Sequence, residues 1–178
     1  MAGASKSEGK AEIFSWISEF ENTISTVLDI GAGSGTYANK AKEYNVLQNS
    51  KWIAVEVWPR YIKKFKLSKK YAQVIQQDAR NLDWKSIGEV DLIIAGDVLE
   101  HMHKDEAIVL FNKCLQHSRY LIISMPIIHF PQGPEHENPY EEHIKDDWSH
   151  DEIIETFSNP VKSFQGDIIG AYLFVGRK

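Results

Sequence analysis

Cysteine is nearly missing from this chain, which holds a single one, Cys114, among 178 residues. One thiol cannot close an internal disulfide, so the fold owes nothing to an oxidising compartment. Long apolar runs are missing too, and none approaches the roughly 20 residues that a membrane-spanning helix requires. The first ten residues, MAGASKSEGK, lack the apolar stretch of a secretory signal and read as a mobile arm. Excess positive charge is absent: 20 Lys and Arg against 25 Asp and Glu leave a net charge of −5, the wrong sign for broad neutralisation of nucleic-acid phosphates. There are no internal repeats or low-complexity tracts. What remains, 43% hydrophobic and 25% charged residues, suits a cytoplasmic protein with one domain over 11–178 and one sizeable core.

The segment Thr26-Val27-Leu28-Asp29-Ile30-Gly31-Ala32-Gly33-Ser34-Gly35-Thr36 carries the strongest signal. An apolar strand ends on an acid and runs into three glycines separated by single residues. Without a Cβ the backbone can turn sharply and let a ligand approach closely. A turn that opens a helix also presents free N–H groups and the positive end of the helix dipole. Two familiar loops are excluded by residues that are not there. The dinucleotide fingerprint needs glycine where Thr36 stands, and the phosphate-cradling P-loop needs a lysine after its last glycine.

Strand and helix patterns alternate along the rest of the chain. Ala11–Ile24 predicts an amphipathic helix and Thr26–Ile30 the first strand. A helix over 36–44, a strand over 51–58 and a helix from Pro59 to Tyr71 follow. Strands are predicted at 73–76, 90–95 and 120–124, with a helix over 105–117 before the last. The segment 125–149 holds four prolines and cannot be one helix. Ser149 can cap a helix over 151–157, with Glu152 at the reciprocal capping position. Strands over 161–169 and 171–177 close the chain. Such alternation implies a parallel sheet covered by helices on both faces, with an antiparallel hairpin at one edge. Ligands on such sheets sit outside the carboxyl ends of the strands.

The strand ends carry matching chemistry. Glu56 stands where a carboxylate could accept hydrogen bonds from two ribose hydroxyls, with Val57 and Trp58 beside it as adenine contacts. Gln77-Asp78-Ala79-Arg80 follows the third strand, and Gly96-Asp97-Val98-Leu99-Glu100-His101-Met102 ends the fourth. In order and spacing, these four strand ends resemble the class I S-adenosylmethionine-dependent methyltransferases. The resemblance spans essentially the whole chain. It implies a Rossmann-like three-layer α/β sandwich with a seven-stranded, mostly parallel sheet and an antiparallel C-terminal hairpin strand. It implies S-adenosylmethionine as cofactor, held by Asp29, Gly31, Ala32, Gly33 and Gly35, by Glu56, Val57 and Trp58, by Asp78 and Ala79, and by Asp97 and Val98. Asp29 and Asp97 would face the methionine end and Asp78 the adenine amino group, with Glu100 and His101 close to the transfer centre.

Methyl transfer from a sulfonium needs alignment and exclusion of water more than it needs acid or base. Where the acceptor carries a proton, His101 and His143 are the candidate bases. His101 could equally brace the helix that follows it. His129, His136, His143 and His150 recur every seven residues, but the prolines forbid the helix that would align them, and no His-Glu-x-x-His pair supports a metal. The sequence therefore assigns no metal. The loop over 125–149 is predicted to line the acceptor pocket with Phe130, Tyr140 and Trp148 as walls. Asn138-Pro139-Tyr140 shares letters with the Asn-Pro-Pro-Tyr motif of enzymes that methylate nucleic-acid amino groups, yet it lies after the wrong strand and reads as a turn. Lys63, Lys64, Lys66, Lys69 and Lys70 read as a solvated helix face, and a nucleic-acid acceptor is disfavoured. The acceptor expected is a small molecule or a protein or peptide side chain; the alternatives are a nucleic-acid methyltransferase and a module that binds S-adenosylmethionine without catalysis.

Overall fold

The computed structural model describes residues 6–157 and 159–176. Seven strands form one sheet: β1 Thr26–Ile30, β2 Lys51–Val55, β3 Gln73–Ile75, β4 Val90–Gly96, β5 Ser118–Pro126, β6 Lys162–Gln165 and β7 Ile169–Val175. Their order across the sheet is β3-β2-β1-β4-β5-β7-β6. The first five run parallel, and β7 enters antiparallel between β5 and β6. The order reverses at β1, beside β4, which opens a crevice above the carboxyl ends of those two strands. The expected architecture is therefore present.

Two apolar layers cover the sheet, and strand alternation decides which residue joins which. Leu28, Ile30, Ile53, Val55, Ile93, Leu121 and Ile123 point to the side covered by α5 (Lys104–His117) and α6 (His150–Phe157). Val27, Ala54, Leu92, Ile94 and Ile122 point to the side covered by α1 (Lys10–Ser18) and α2 (Thr36–Glu43). Period-2 geometry sends successive side chains to opposite faces, so a strand buried on both sides is apolar at every position. Among the described residues no helix is long and apolar enough to cross a membrane.

The structure departs from the sequence pattern in places that matter for the site. Residues 6–10, predicted as part of a mobile arm, are packed against the strand ends. The Glu8 carboxylate accepts the backbone N–H groups of Asp167, Ile168 and Ile169 at 2.7–3.0 Å, and Lys10 is buried at the start of α1. The lead-in helix stops at Ser18, and a short 3-10 turn over Glu21–Thr23 completes the connection. The helix from Pro59 also ends early, as α3 (Pro59–Lys64), because Lys66 takes a left-handed conformation (φ 53°). That break turns Leu67 and Tyr71 into the core beneath the glycine loop. Lys63, Lys64, Lys66 and Lys69 are exposed, as a solvated face requires. The Ser149 cap is present, its hydroxyl accepting the Glu152 N–H at 3.1 Å. Glu152 does not return the bond, because its carboxylate pairs with Lys104 and Lys145.

Candidate active site

The glycine loop is built from its strand outward. Gly31 and Ala32 N–H groups donate to the Val55 carbonyl at 2.9 and 3.0 Å, so the loop is pinned to the end of β2. Gly31 has φ 69°, and a Cβ there would lie 2.6 Å from Val98 Cγ2. Both the backbone and the space require glycine. Lys70 Nζ donates to the Ser34 carbonyl at 2.6 Å and Tyr71 OH to Asp29 Oδ2 at 2.5 Å. These two residues hold the loop from below, and sequence reasoning missed both, since neither stands at a strand end.

Glu56 joins the loop to the next strand end. Its Oε2 accepts the Gly33 N–H and its Oε1 the Trp58 N–H, each at 2.8 Å. Each oxygen keeps a further lone pair for a ligand hydroxyl. Burial pushes the carboxyl above its ordinary range, partly offset by those N–H groups. Asp78 is turned by Arg80, whose guanidinium contacts both carboxylate oxygens at 2.6–3.2 Å and holds the acid below its ordinary range.

The far end of the site is acidic and buried. Asp97 sits in left-handed backbone (φ 56°), its N–H donating to the Ser124 carbonyl at 2.7 Å. Non-glycine residues held in that region tend to mark functional turns. Glu100 is 1% exposed, and neither carboxylate oxygen has a hydrogen-bond partner among the described residues. Burial, then the Asp97 charge, raises it well above the carboxylate range. Lys10 reaches this end, with Nζ 3.3 Å from Ser124 Oγ and 4.7 Å from the Tyr37 ring centre. Burial opposes its charge, but Tyr37, Asp97 and Glu100 outweigh burial and hold the ammonium more firmly protonated. Nothing in the sequence pattern distinguished Lys10 from a surface lysine.

His101 and His143 meet edge to face, ring centres 4.9 Å apart. Each has Nδ1 against a backbone carbonyl, Glu142 at 3.0 Å and Phe130 at 2.7 Å respectively. Burial, with the neighbouring imidazole, lowers the His143 pKa. The loop over 127–149 folds back across itself to bring His143 there. Phe130 N–H donates to the Asp146 carbonyl and His143 N–H to that of Gln132. Asn138 caps the Pro139–Glu141 turn through the Tyr140 N–H at 3.0 Å, so Asn-Pro-Tyr is the turn that its spacing predicted.

One cavity of about 330 Å³ runs between these ends. Of the predicted residues it brings together Gly31, Ala32, Gly33, Glu56, Val57, Asp78, Ala79, Asp97, Val98, His101 and His143, with Phe130 and Tyr140 as walls. Four of the expected residues are not part of its lining. Asp29 is buried, and Gly35 caps α2. Trp58 meets the site through its N–H, its ring lying 6.3 Å from Tyr140. Trp148 is not a wall, because it is buried against Phe157 in the layer beneath α5 and α6.

Gly96 closes the site from within the sheet. A Cβ there would lie 2.1 Å from the Tyr37 hydroxyl, which is bonded to Ser124 at 2.7 Å. Gly96→Ala is expected to displace that ring and to cost about 1–3 kcal/mol of stability. Urea unfolding of the variant beside the wild type measures it, and an unchanged midpoint would contradict this account.

Against known families, residues 28–123, more than half of the chain, match the model of a methyltransferase domain. The chain belongs to the methyltransferase domain family. It is an S-adenosylmethionine-dependent methyltransferase. No curated protein sequence matches it. Solved structures share the methyltransferase's fold at low identity. Magnesium protoporphyrin IX methyltransferase from Synechocystis PCC 6803, with bound S-adenosylmethionine, is 15% identical, with TM-score 0.66 over 96% of this chain and 79% of that one. The PH0226 protein from Pyrococcus horikoshii OT3 is 13% identical, with TM-score 0.69 over 97% and 92%. The small RNA methyltransferase HEN1 is 18% identical, with TM-score 0.68 over all of this chain and 27% of that one.

Proposed function

We propose that this methyltransferase transfers its methyl group to a small molecule or a protein or peptide side chain, held under the loop over 125–149. The observation that carries the reading is the continuity of the cavity from the Glu56–Gly33 pair to the two imidazoles. The cofactor would lie along the strand ends, ribose on Glu56, adenine between Val57 and Asp78–Ala79, and methionine toward Asp97. Its methyl group would then face His101 and His143.

Those geometries support an in-line displacement. The sulfonium is already an activated leaving group, so the protein mainly aligns the acceptor and excludes water. A backbone carbonyl accepts only, so Nδ1 of each imidazole carries a proton, and in the neutral ring Nε2 holds the lone pair. Such a nitrogen can draw off the proton of an acceptor. The wall residues Phe130 and Tyr140 suit an acceptor with apolar or aromatic surface.

A nucleic-acid acceptor is the second reading, favoured by the likeness to HEN1 over the whole chain and opposed by the net charge of −5. Labelled S-adenosylmethionine supplied with lysate fractions of protein, nucleic acid and metabolites tests both. Label is expected in the metabolite or protein fraction. Label confined to nucleic acid would overturn the first reading in favour of the second.

A further inference from the structure

We propose that Glu100, His101 and His143 bind one divalent transition-metal cation, whose remaining positions take an oxygen of the methyl acceptor. One ligand atom from each of the three lies within 4.8 Å of those from the other two. Bonds of about 2.0–2.2 Å ask those atoms to draw inward around the ion.

Three independent observations point to a cation. The first is Glu100, whose two oxygens are buried on the cavity wall without a hydrogen-bond partner among the described residues. A buried carboxylate is costly unless it is protonated, paired or bound to a metal. Asp97 and Glu141 add negative charge around it, against Lys10.

The second is the state of the imidazoles. Both give the Nδ1 proton to a backbone carbonyl, which fixes the tautomer and leaves Nε2 as the ligand atom. Metal-ligating histidines are oriented in this way.

The third is preorganisation. The N–H groups of Ile144 and Lys145 both donate to the Glu100 carbonyl, at 2.9 and 3.1 Å. The segment that carries His143 is thereby fastened to the turn that carries Glu100 and His101, although α5 and β5 lie between them in the chain.

The donor set defines the ion. Two imidazoles and one carboxylate suit Mn, Fe, Co, Ni or Zn better than Ca or Mg, which prefer oxygen throughout. With three protein ligands the site keeps open positions facing the cavity. This deepens, and rests on, the methyltransferase reading, and it narrows the acceptor to an oxygen nucleophile such as a hydroxyl. The ion would lower the pKa of that hydroxyl, and, with both Nε2 lone pairs on the ion, its proton would pass to water and not to an imidazole. The oxygen would bond to the methyl carbon as the S–CH3 bond breaks. The sulfur keeps the electron pair, leaving neutral S-adenosylhomocysteine.

Metal-free protein titrated with Co(II), followed by calorimetry and visible absorption, tests the site. One equivalent is expected to bind, with an absorption band from nitrogen and oxygen ligands. Glu100→Gln and His143→Gln should each weaken binding by about tenfold or more. No saturable binding by the wild type overturns the proposal, and so does unchanged affinity in a folded His143→Gln protein. Should Glu100→Gln fail to fold, the wild-type and His143→Gln titrations decide alone. S-adenosylhomocysteine titrated into the same samples keeps the two readings apart. Cofactor binding without Co(II) binding overturns only the metal site. Co(II) binding without cofactor binding supports the metal site and counts against the proposed cofactor placement.

Discussion

Glu56→Ala is expected to weaken S-adenosylhomocysteine binding by about two orders of magnitude or more. The carboxylate does two things at once. It accepts N–H groups from Gly33 and Trp58, holding the glycine loop and the residues after β2 in one arrangement. It also lines the cavity, where the proposed cofactor placement would set a pair of ribose hydroxyls against its remaining lone pairs. Hydrogen bonds to a charged group contribute about 1.5–3 kcal/mol each, so losing two is worth roughly a hundredfold to ten-thousandfold in affinity. Alanine in addition leaves two buried N–H groups without acceptors. Glu56→Gln retains one acceptor oxygen but turns an amide NH2 toward one of those donors, so an intermediate loss is expected. Calorimetric titration with S-adenosylhomocysteine measures both variants. A Glu56→Ala protein that binds within threefold of the wild type would remove Glu56 from the site.

Asp29 is expected to make the protein less stable as the pH rises from about 4 to about 7, by roughly 4 kcal/mol in total. It is fully buried, and desolvation pushes its pKa up to about 7. The Tyr71 hydroxyl opposes the shift, and the Glu56 charge adds to it. The folded state therefore holds a proton that the unfolded chain releases near 3.8. Stability from this group is fully present below that lower value. It is lost as the pH climbs through the folded value, and does not change further above it. Glu56 and Glu100 are raised by burial and act in the same sense, whereas Asp78 and Glu152 are lowered and act in the opposite one. The contrast with Asp29→Asn isolates the group. Urea unfolding of both proteins at pH 4.5 and pH 8 should show a steeper fall for the wild type. If the two falls agree within about 1 kcal/mol, Asp29 is not protonated in the folded state.

The sheet and most of the cavity were legible in the chain because their signals are local. A strand buried on both faces is apolar at successive positions, and Leu92-Ile93-Ile94-Ala95 shows that in four consecutive residues. A strand-to-helix turn that passes close to Val98 must use glycine, so Gly31 shows in the spacing. Acids at successive strand ends line one cavity because parallel strands deliver their carboxyl ends to the same edge of the sheet. Glu56, Asp78 and Asp97 reach it for that reason alone.

Other contacts depended on chain segments that meet only after folding. Lys10 and Ser124, or Tyr71 and Asp29, are joined by crossovers and carry no pattern of their own. Trp148 and Phe130 looked alike as aromatic residues of one irregular loop, yet packing beneath α5 and α6 buried the first, while the second lines the cavity. Glu100 and His143 are separated by α5, β5 and part of that same loop, and two backbone hydrogen bonds to the Glu100 carbonyl fasten the segments together. The sequence by itself determined the α/β class, because periodicity and turn chemistry act between near neighbours, and the order of its strand-end motifs carried the resemblance that implied the methyl donor. Only the tertiary structure decided which side chains of the proline-interrupted loop line the cavity, because that depends on where the loop closes, and closure is set by hydrogen bonds between residues far apart in the chain.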